Sequence, residues 1–119
     1  MPIPQVTGAW LEGEDPGDRK FIKVGDIALE SGEVLPDVII AYQSYGVLNV
    51  TKDNAILVNH AWTGWSDVEG WWPNQVGPGK PLDTDKYFVV CPNVIGGCQG
   101  STGPASKHPD GKLYGSRFP

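Results

Sequence analysis

Apolar and polar residues alternate from Lys20 to Glu30 (KFIKVGDIALE) with the two-residue period of a half-buried strand. Ser31-Gly32-Glu33 supplies a turn, and Val34 to Gly46 (VLPDVIIAYQSYG) reads as a second strand. Pro36 places the start of that strand at an edge or a bulge, because proline has no N–H to give to a ladder. The two segments predict an antiparallel hairpin. After a polar break from Asn49 to Asn54, the run AILVN (Ala55 to Asn59) is short and almost continuously apolar, the pattern of a parallel strand buried on both faces. Tyr87 to Cys91 (YFVVC) repeats that pattern.

Between those two runs the chain loses its periodicity. Residues 60–86 carry four tryptophans and three prolines with no 3.6-residue repeat, so a long loop is expected, with one or two helical turns over Ser66 to Trp72. The tail from Ser106 to Pro119 contains Pro109-Asp110-Gly111, a turn signature. Residues 1–18 are rich in proline, glycine and acid and read as a loosely ordered leader to the body of the chain, 19–119. No repeat or low-complexity tract interrupts the 119 residues. Parallel strands need helices over both faces, and no amphipathic segment here is long enough to provide them. The expectation is therefore the front part of a larger α/β domain.

Composition narrows the partners. A net charge of −5 and a pI near 4.8 argue against nucleic acid or an anionic membrane surface. Arg19, Lys20 and Lys23 do not change this, because Asp15, Asp18 and Asp26 flank them. The start, MPIPQVTGAW, has neither the basic end nor the apolar segment of a signal peptide, and two cysteines are too few to staple a secreted domain, so a cytoplasmic setting is expected. Cys91 and Cys98 are seven apart and the two histidines are distant from each other, which is no metal-ligand spacing, so both thiols are expected to be buried and inert.

The most informative stretch is CPNVIGGCQGSTGP, Cys91 to Pro104, where an apolar strand breaks into a glycine-rich loop. It is not a phosphate cradle, since no Gly-Lys-Ser/Thr follows and Gly79-Lys80 runs into Pro81. Nor is it a nucleophile elbow: Gln99 stands where Gly-x-Ser-x-Gly needs its first glycine, and no strand leads directly into Ser101. What remains is a close approach of backbone that glycine permits, or a loop that simply packs. A second feature is HAWTG, His60 to Gly64, where a strand end turns sharply.

Together with Trp71-Trp72 and VGPGKPLDTDKYFVV (Val76 to Val90), these segments resemble the N-terminal part of the homoserine O-acetyltransferases, acyl-transfer enzymes of the α/β-hydrolase fold; the likeness runs from about Leu29 to Pro119. The resemblance implies an α/β fold class, here an incomplete α/β-hydrolase domain of strands and loops with little helix. It implies that HAWTG is the oxyanion-hole turn, with the backbone N–H of Trp62 as the catalytic donor and Ala61, Thr63, Gly97, Gly100 and Ser101 as substrate-pocket walls. The implied reaction moves acetyl from acetyl-CoA, a co-substrate and not a resident cofactor, to L-homoserine in methionine biosynthesis, through an acyl-serine. The full-length enzyme would be a homodimer. The serine, aspartate and histidine of the triad are not among these positions, so the 119 residues alone would be inactive. The catalytic histidine follows the nucleophile in this fold, which leaves His60 to shape the turn and His108 to a loop.

The loop WSDVEGWWPN departs from the usual pattern at Trp65 and Asn74, which leaves the acceptor open. Alternatives are homoserine O-succinyltransferase, serine O-acyltransferase or esterase activity on the same fold, or a non-enzymatic module that binds through its tryptophans.

Overall fold

A computed structural model describes residues 9–119. Its main sheet contains β1 (Lys20–Ala28), β2 (Val34–Tyr45), β3 (Ala55–Leu57) and β6 (Phe88–Pro92), in the order β1-β2-β6-β3. β1 and β2 form the expected antiparallel hairpin, closed by Leu29 N–H to the Glu33 carbonyl at 2.8 Å. β6 lies antiparallel to β2 and parallel to β3.

The hairpin carries two compensating irregularities. Lys23 faces Ile39 and Gly25 faces Val38, so Val24 is an extra residue in β1; Ile27 then faces Leu35, which leaves an extra residue in β2 around Pro36-Asp37. Gly25 takes φ +81° at the first bulge, where a side chain would be strained. At the second, Asp37 N–H is held by the Asp26 carboxylate at 2.9 Å. Pro36 thus sits at a bulge, as its missing N–H requires.

Apolar packing falls on both faces of the sheet. Alternation along β2 sends Val38 and Ile40 to one face, where they join Leu35, Tyr114 and Phe118. Tyr45 and Cys91 lie on the other with Val68, Val76 and Trp71. The tail is therefore not merely a turn. A single 3-10 turn, Gly115–Arg117, follows the buried Tyr114 and brings Phe118 back against the hairpin.

The long loop contains one helical turn, α1 (Val68–Trp71), and a two-residue parallel pair, β4 (Val76–Gly77) with β5 (Leu82–Asp83). Asp67 caps α1 by accepting from Gly70 N–H at 3.2 Å. Strands of two residues are too short for a two-residue period to mark them.

Two burial expectations are corrected. β1 was expected to be half-buried, but most of its residues are exposed, and β3 was expected to be buried on both faces, yet Leu57 is 62% exposed. The reason is shared: each is an edge strand of the described sheet, and α1 is too short to cover a face. Residues 1–8 of the expected leader lie outside the described residues. Its described part is tethered, with Trp10 N–H on the Cys98 carbonyl at 2.9 Å and its ring 5.3 Å from that of Phe21.

The radius of gyration, 16.0 Å, exceeds the roughly 13.5 Å of a compact chain of this size. Val47, Val50, Leu57 and Trp62 are largely wet. The 119 residues expressed alone should therefore melt without a cooperative transition; a sharp calorimetric peak with a dispersed NMR spectrum would contradict this.

Candidate active site

Two loops leave the same end of the parallel pair. Beyond β3, Val58 N–H still reaches the Val90 carbonyl at 2.9 Å, and the chain then turns at His60. Gly64 N–H closes a β-turn onto the Ala61 carbonyl at 2.8 Å, with Trp62 and Thr63 as its central residues. Among the described residues, neither the Trp62 nor the Thr63 N–H donates a hydrogen bond. Both residues are exposed, and the Trp62 side chain fully so.

His60 shapes this turn. Val94 N–H lies 3.2 Å from His60 Nε2, and a peptide N–H can only donate, so Nε2 accepts and Nδ1 carries the proton. Nδ1–H then donates to the Ala61 carbonyl at 2.7 Å. One imidazole thereby joins the turn after β3 to the loop after β6. His108 is a loop residue that accepts from Asp110 N–H.

The glycine loop begins at Asn93, which is buried and fully engaged. Its Oδ1 accepts from Ser66 N–H at 2.7 Å, which fixes the amide orientation, and its Nδ2 donates to Ser66 Oγ at 3.1 Å and to the Gln99 carbonyl at 3.0 Å. Ser66 Oγ–H donates to Gln43 Oε1 at 2.8 Å. Three segments (β2, the tryptophan loop and the glycine loop) thus share one buried polar network.

Where β6 stops, the glycine loop continues its pairing with β2. Ala41 N–H donates to Ser101 Oγ at 3.0 Å and Ile39 N–H to Thr102 Oγ1 at 2.9 Å, so side-chain hydroxyls stand in for a neighbouring strand. Ser101 Oγ–H donates in turn to the Asn93 carbonyl at 2.6 Å. Gly100, at φ +111°, permits the approach: a Cβ there would meet Ala41 Cβ at 2.9 Å.

Gly97, Gly100 and Ser101 line one cavity of about 500 Å³, together with Trp10, Phe21 and Ile39. Ala61, Trp62 and Thr63 do not contribute to it. The turn and the glycine loop are joined by the His60–Val94 and Ser66–Asn93 hydrogen bonds and by Arg19, which reaches both Gln99 and Trp65. Spacing could not reveal this, because it depends on which way the glycine loop folds back along β2.

Other side chains take structural places. Trp71 packs in the core and donates Nε1–H to the Trp65 carbonyl at 2.7 Å, while Trp72 stacks on Trp71 at 5.9 Å. The hydrogen-bonding roles of Arg19, Gln43, Ser66 and Asn93 escaped the sequence reading, since no spacing rule links residues so far apart in the chain. Cys91 is buried and burial pushes its thiol up to about 11, but Cys98 is exposed, which corrects its expected burial. Burial also pushes the Tyr45 phenol up to about 12, with its OH 3.3 Å from Asp67.

No family model matches the chain. It is 53% identical to a homoserine O-acetyltransferase of Thermobifida fusca, with 99% of this chain aligned to 34% of that protein. It is 50% identical to one of Nocardia farcinica, with 99% aligned to 34%. The chain thus spans about a third of the length of these curated relatives. Among solved structures, the homoserine O-acetyltransferase of Bacillus anthracis superposes with a TM-score of 0.71 at 31% identity, covering 85% of this chain and 31% of that one. Esterase E22 superposes at 0.77 and 30% identity, covering 85% and 32%. The α/β-hydrolase fold expected from the sequence is the fold of these neighbours.

Asn93→Ala should cost about 1–3 kcal/mol, because it leaves Ser66 N–H buried without an acceptor. Denaturant titration of the whole protein checks this; a loss near zero would mean that water or another group replaces the amide.

Alkaline pH gives a second expectation. Cys91 and Tyr45 hold their protons to higher pH folded than unfolded, so the unfolded chain binds fewer protons and stability falls as pH rises. The window opens at an ordinary thiol's 9.0 and closes near 11 for Cys91, and runs from 10.0 to about 12 for Tyr45. Cys91→Ala should flatten the stability curve between about pH 9 and 11. A variant curve parallel to the wild type would rule the thiol out.

Proposed function

We propose, from the premise that this chain is homologous over nearly its whole length to a third of a homoserine O-acetyltransferase, that it supplies the scaffold and oxyanion turn of an acyl-transfer site. The carrying observation is the turn Ala61–Gly64: two adjacent backbone N–H groups without partners among the described residues, at the C-terminal end of a parallel strand, held by His60. Such donors match the charge that develops on a carbonyl oxygen during attack, and fixed amides need no reorganisation as that charge forms.

In this reading the Trp62 N–H is the donor and the indole is incidental, which agrees with its full exposure. A serine takes the acetyl group from acetyl-CoA and the hydroxyl of L-homoserine then accepts it, with no resident cofactor. The serine, aspartate and histidine belong to the part of the relatives' length that this chain does not span. The reaction is a cytoplasmic step of methionine biosynthesis, and the whole enzyme is a homodimer.

Esterase chemistry is the second reading, favoured by the superposition on esterase E22. The two differ only in the acceptor, water or an alcohol. Acetyl-CoA consumption by the whole protein should depend on homoserine; equal turnover without it would favour hydrolysis.

Trp62→Pro tests the amide directly. Proline suits the first central position of a β-turn, so it removes the N–H with little disturbance of the backbone. The expected loss is on the order of 10²–10³ in kcat, with Trp62→Leu mild. An unchanged rate in the proline variant would remove Trp62 from the oxyanion hole.

A further inference from the structure

Arg19 stands just before β1, far in sequence from either loop, yet it touches both. Its Nε donates to the Gln99 carbonyl at 3.1 Å and its Nη2 to Gln99 Oε1 at 2.7 Å, a two-point grip on the glycine loop. The same guanidinium lies 4.5 Å from the centroid of the Trp65 ring and 5.7 Å from that of Trp10. Nη1 donates to the Pro16 carbonyl at 3.2 Å, so the group is also held from behind.

Trp65 follows Gly64 directly, just past the turn whose amides are the candidate oxyanion donors. Its carbonyl is already fixed by Trp71 Nε1, which leaves the ring as its remaining handle. Upstream, His60 ties the turn to Val94; downstream, Ser66 N–H is held by Asn93. The ring face of Trp65 receives Arg19. A planar guanidinium can stack and donate in its own plane at once, whereas an ammonium cannot.

We infer that Arg19 is a positioning residue: by gripping Gln99 and stacking on Trp65 it sets the spacing between the glycine loop and the Ala61–Gly64 turn. The inference rests on the acyl-transfer reading for its effect on rate, but not for its effect on the loops. Burial draws the guanidinium down while Asp67 and Glu14 hold it up, and an arginine so placed keeps its charge. The grip therefore persists through the working pH range.

The test compares wild type, Arg19→Met and Arg19→Lys in the whole protein by amide hydrogen exchange and by steady-state kinetics. In Arg19→Met, exchange should rise on the order of tenfold at the hydrogen-bonded amides of Gly64, Ser66 and Gly97, with the β1–β2 ladder unchanged. For acyl transfer, kcat should fall on the order of tenfold while the acceptor KM stays within about twofold, as a misplaced donor would produce. Arg19→Lys should resemble the methionine variant, since charge alone does not restore the fork; if Arg19→Met does not fold, Arg19→Lys carries the comparison. Exchange that is unchanged at the two loops, or raised evenly over the hairpin, overturns the inference. So does a loosened turn with an unaltered kcat, or full rescue by lysine. If the wild type transfers no acyl group, the functional reading fails by itself, and local exchange still decides whether Arg19 positions the loops.

Discussion

The buried amide of Asn93 is the constraint on which the loop geometry depends. A backbone N–H placed in the interior without a partner costs about as much as a lost hydrogen bond, so the tryptophan loop can pass under the sheet only where something accepts from Ser66. Asn93 Oδ1 does so, and its Nδ2 binds Ser66 Oγ and the Gln99 carbonyl. No buried side-chain polar atom among the described residues lacks a partner. Satisfied networks of this kind specify one arrangement, because any shift of one loop leaves another loop's donor stranded.

From that anchor the rest follows by adjacency. The glycine loop runs back beside β2 because Ser101 and Thr102 offer hydroxyls to the Ala41 and Ile39 amides that β6 no longer reaches. The turn after β3 faces outward because Ser66, two residues past it, is pulled inward. His60 and Arg19 then hold that turn from either side, one through Val94 and the other through Trp65. A set of backbone amides can be rigid and open to solvent at once only when the residues around them are fixed in this way.

Much of the sheet was legible because its signals are local. Alternation marked β1 and β2, Ser31-Gly32-Glu33 marked their turn, Pro36 marked the bulge, and two β-branched runs marked the parallel pair. Burial was less legible: β3 has the composition of a central strand but lies at the edge of the described sheet, since periodicity reports an environment the sequence is suited to and not which neighbours are present. The pair β4–β5 was hidden by its length, and the packed Tyr114 by its position in a tail with no period.

The candidate site divides along the same line. HAWTG and the glycine cluster could be found from residue order because turns and left-handed φ values are chosen by the residues within them, as Gly100 shows. Arg19, Gln43 and Asn93 could not, since their roles exist only across separations of many residues, and no spacing rule links Arg19 to Gln99. By itself the sequence determined the four strands of the main sheet, the hairpin turn and the chemistry available at each break. Only the tertiary structure decided that Gly97, Gly100 and Ser101 line a cavity with Trp10 and Phe21 and that Asn93 and Arg19 tie that loop to the turn after β3, because this depends on where buried hydrogen-bond donors find acceptors in space.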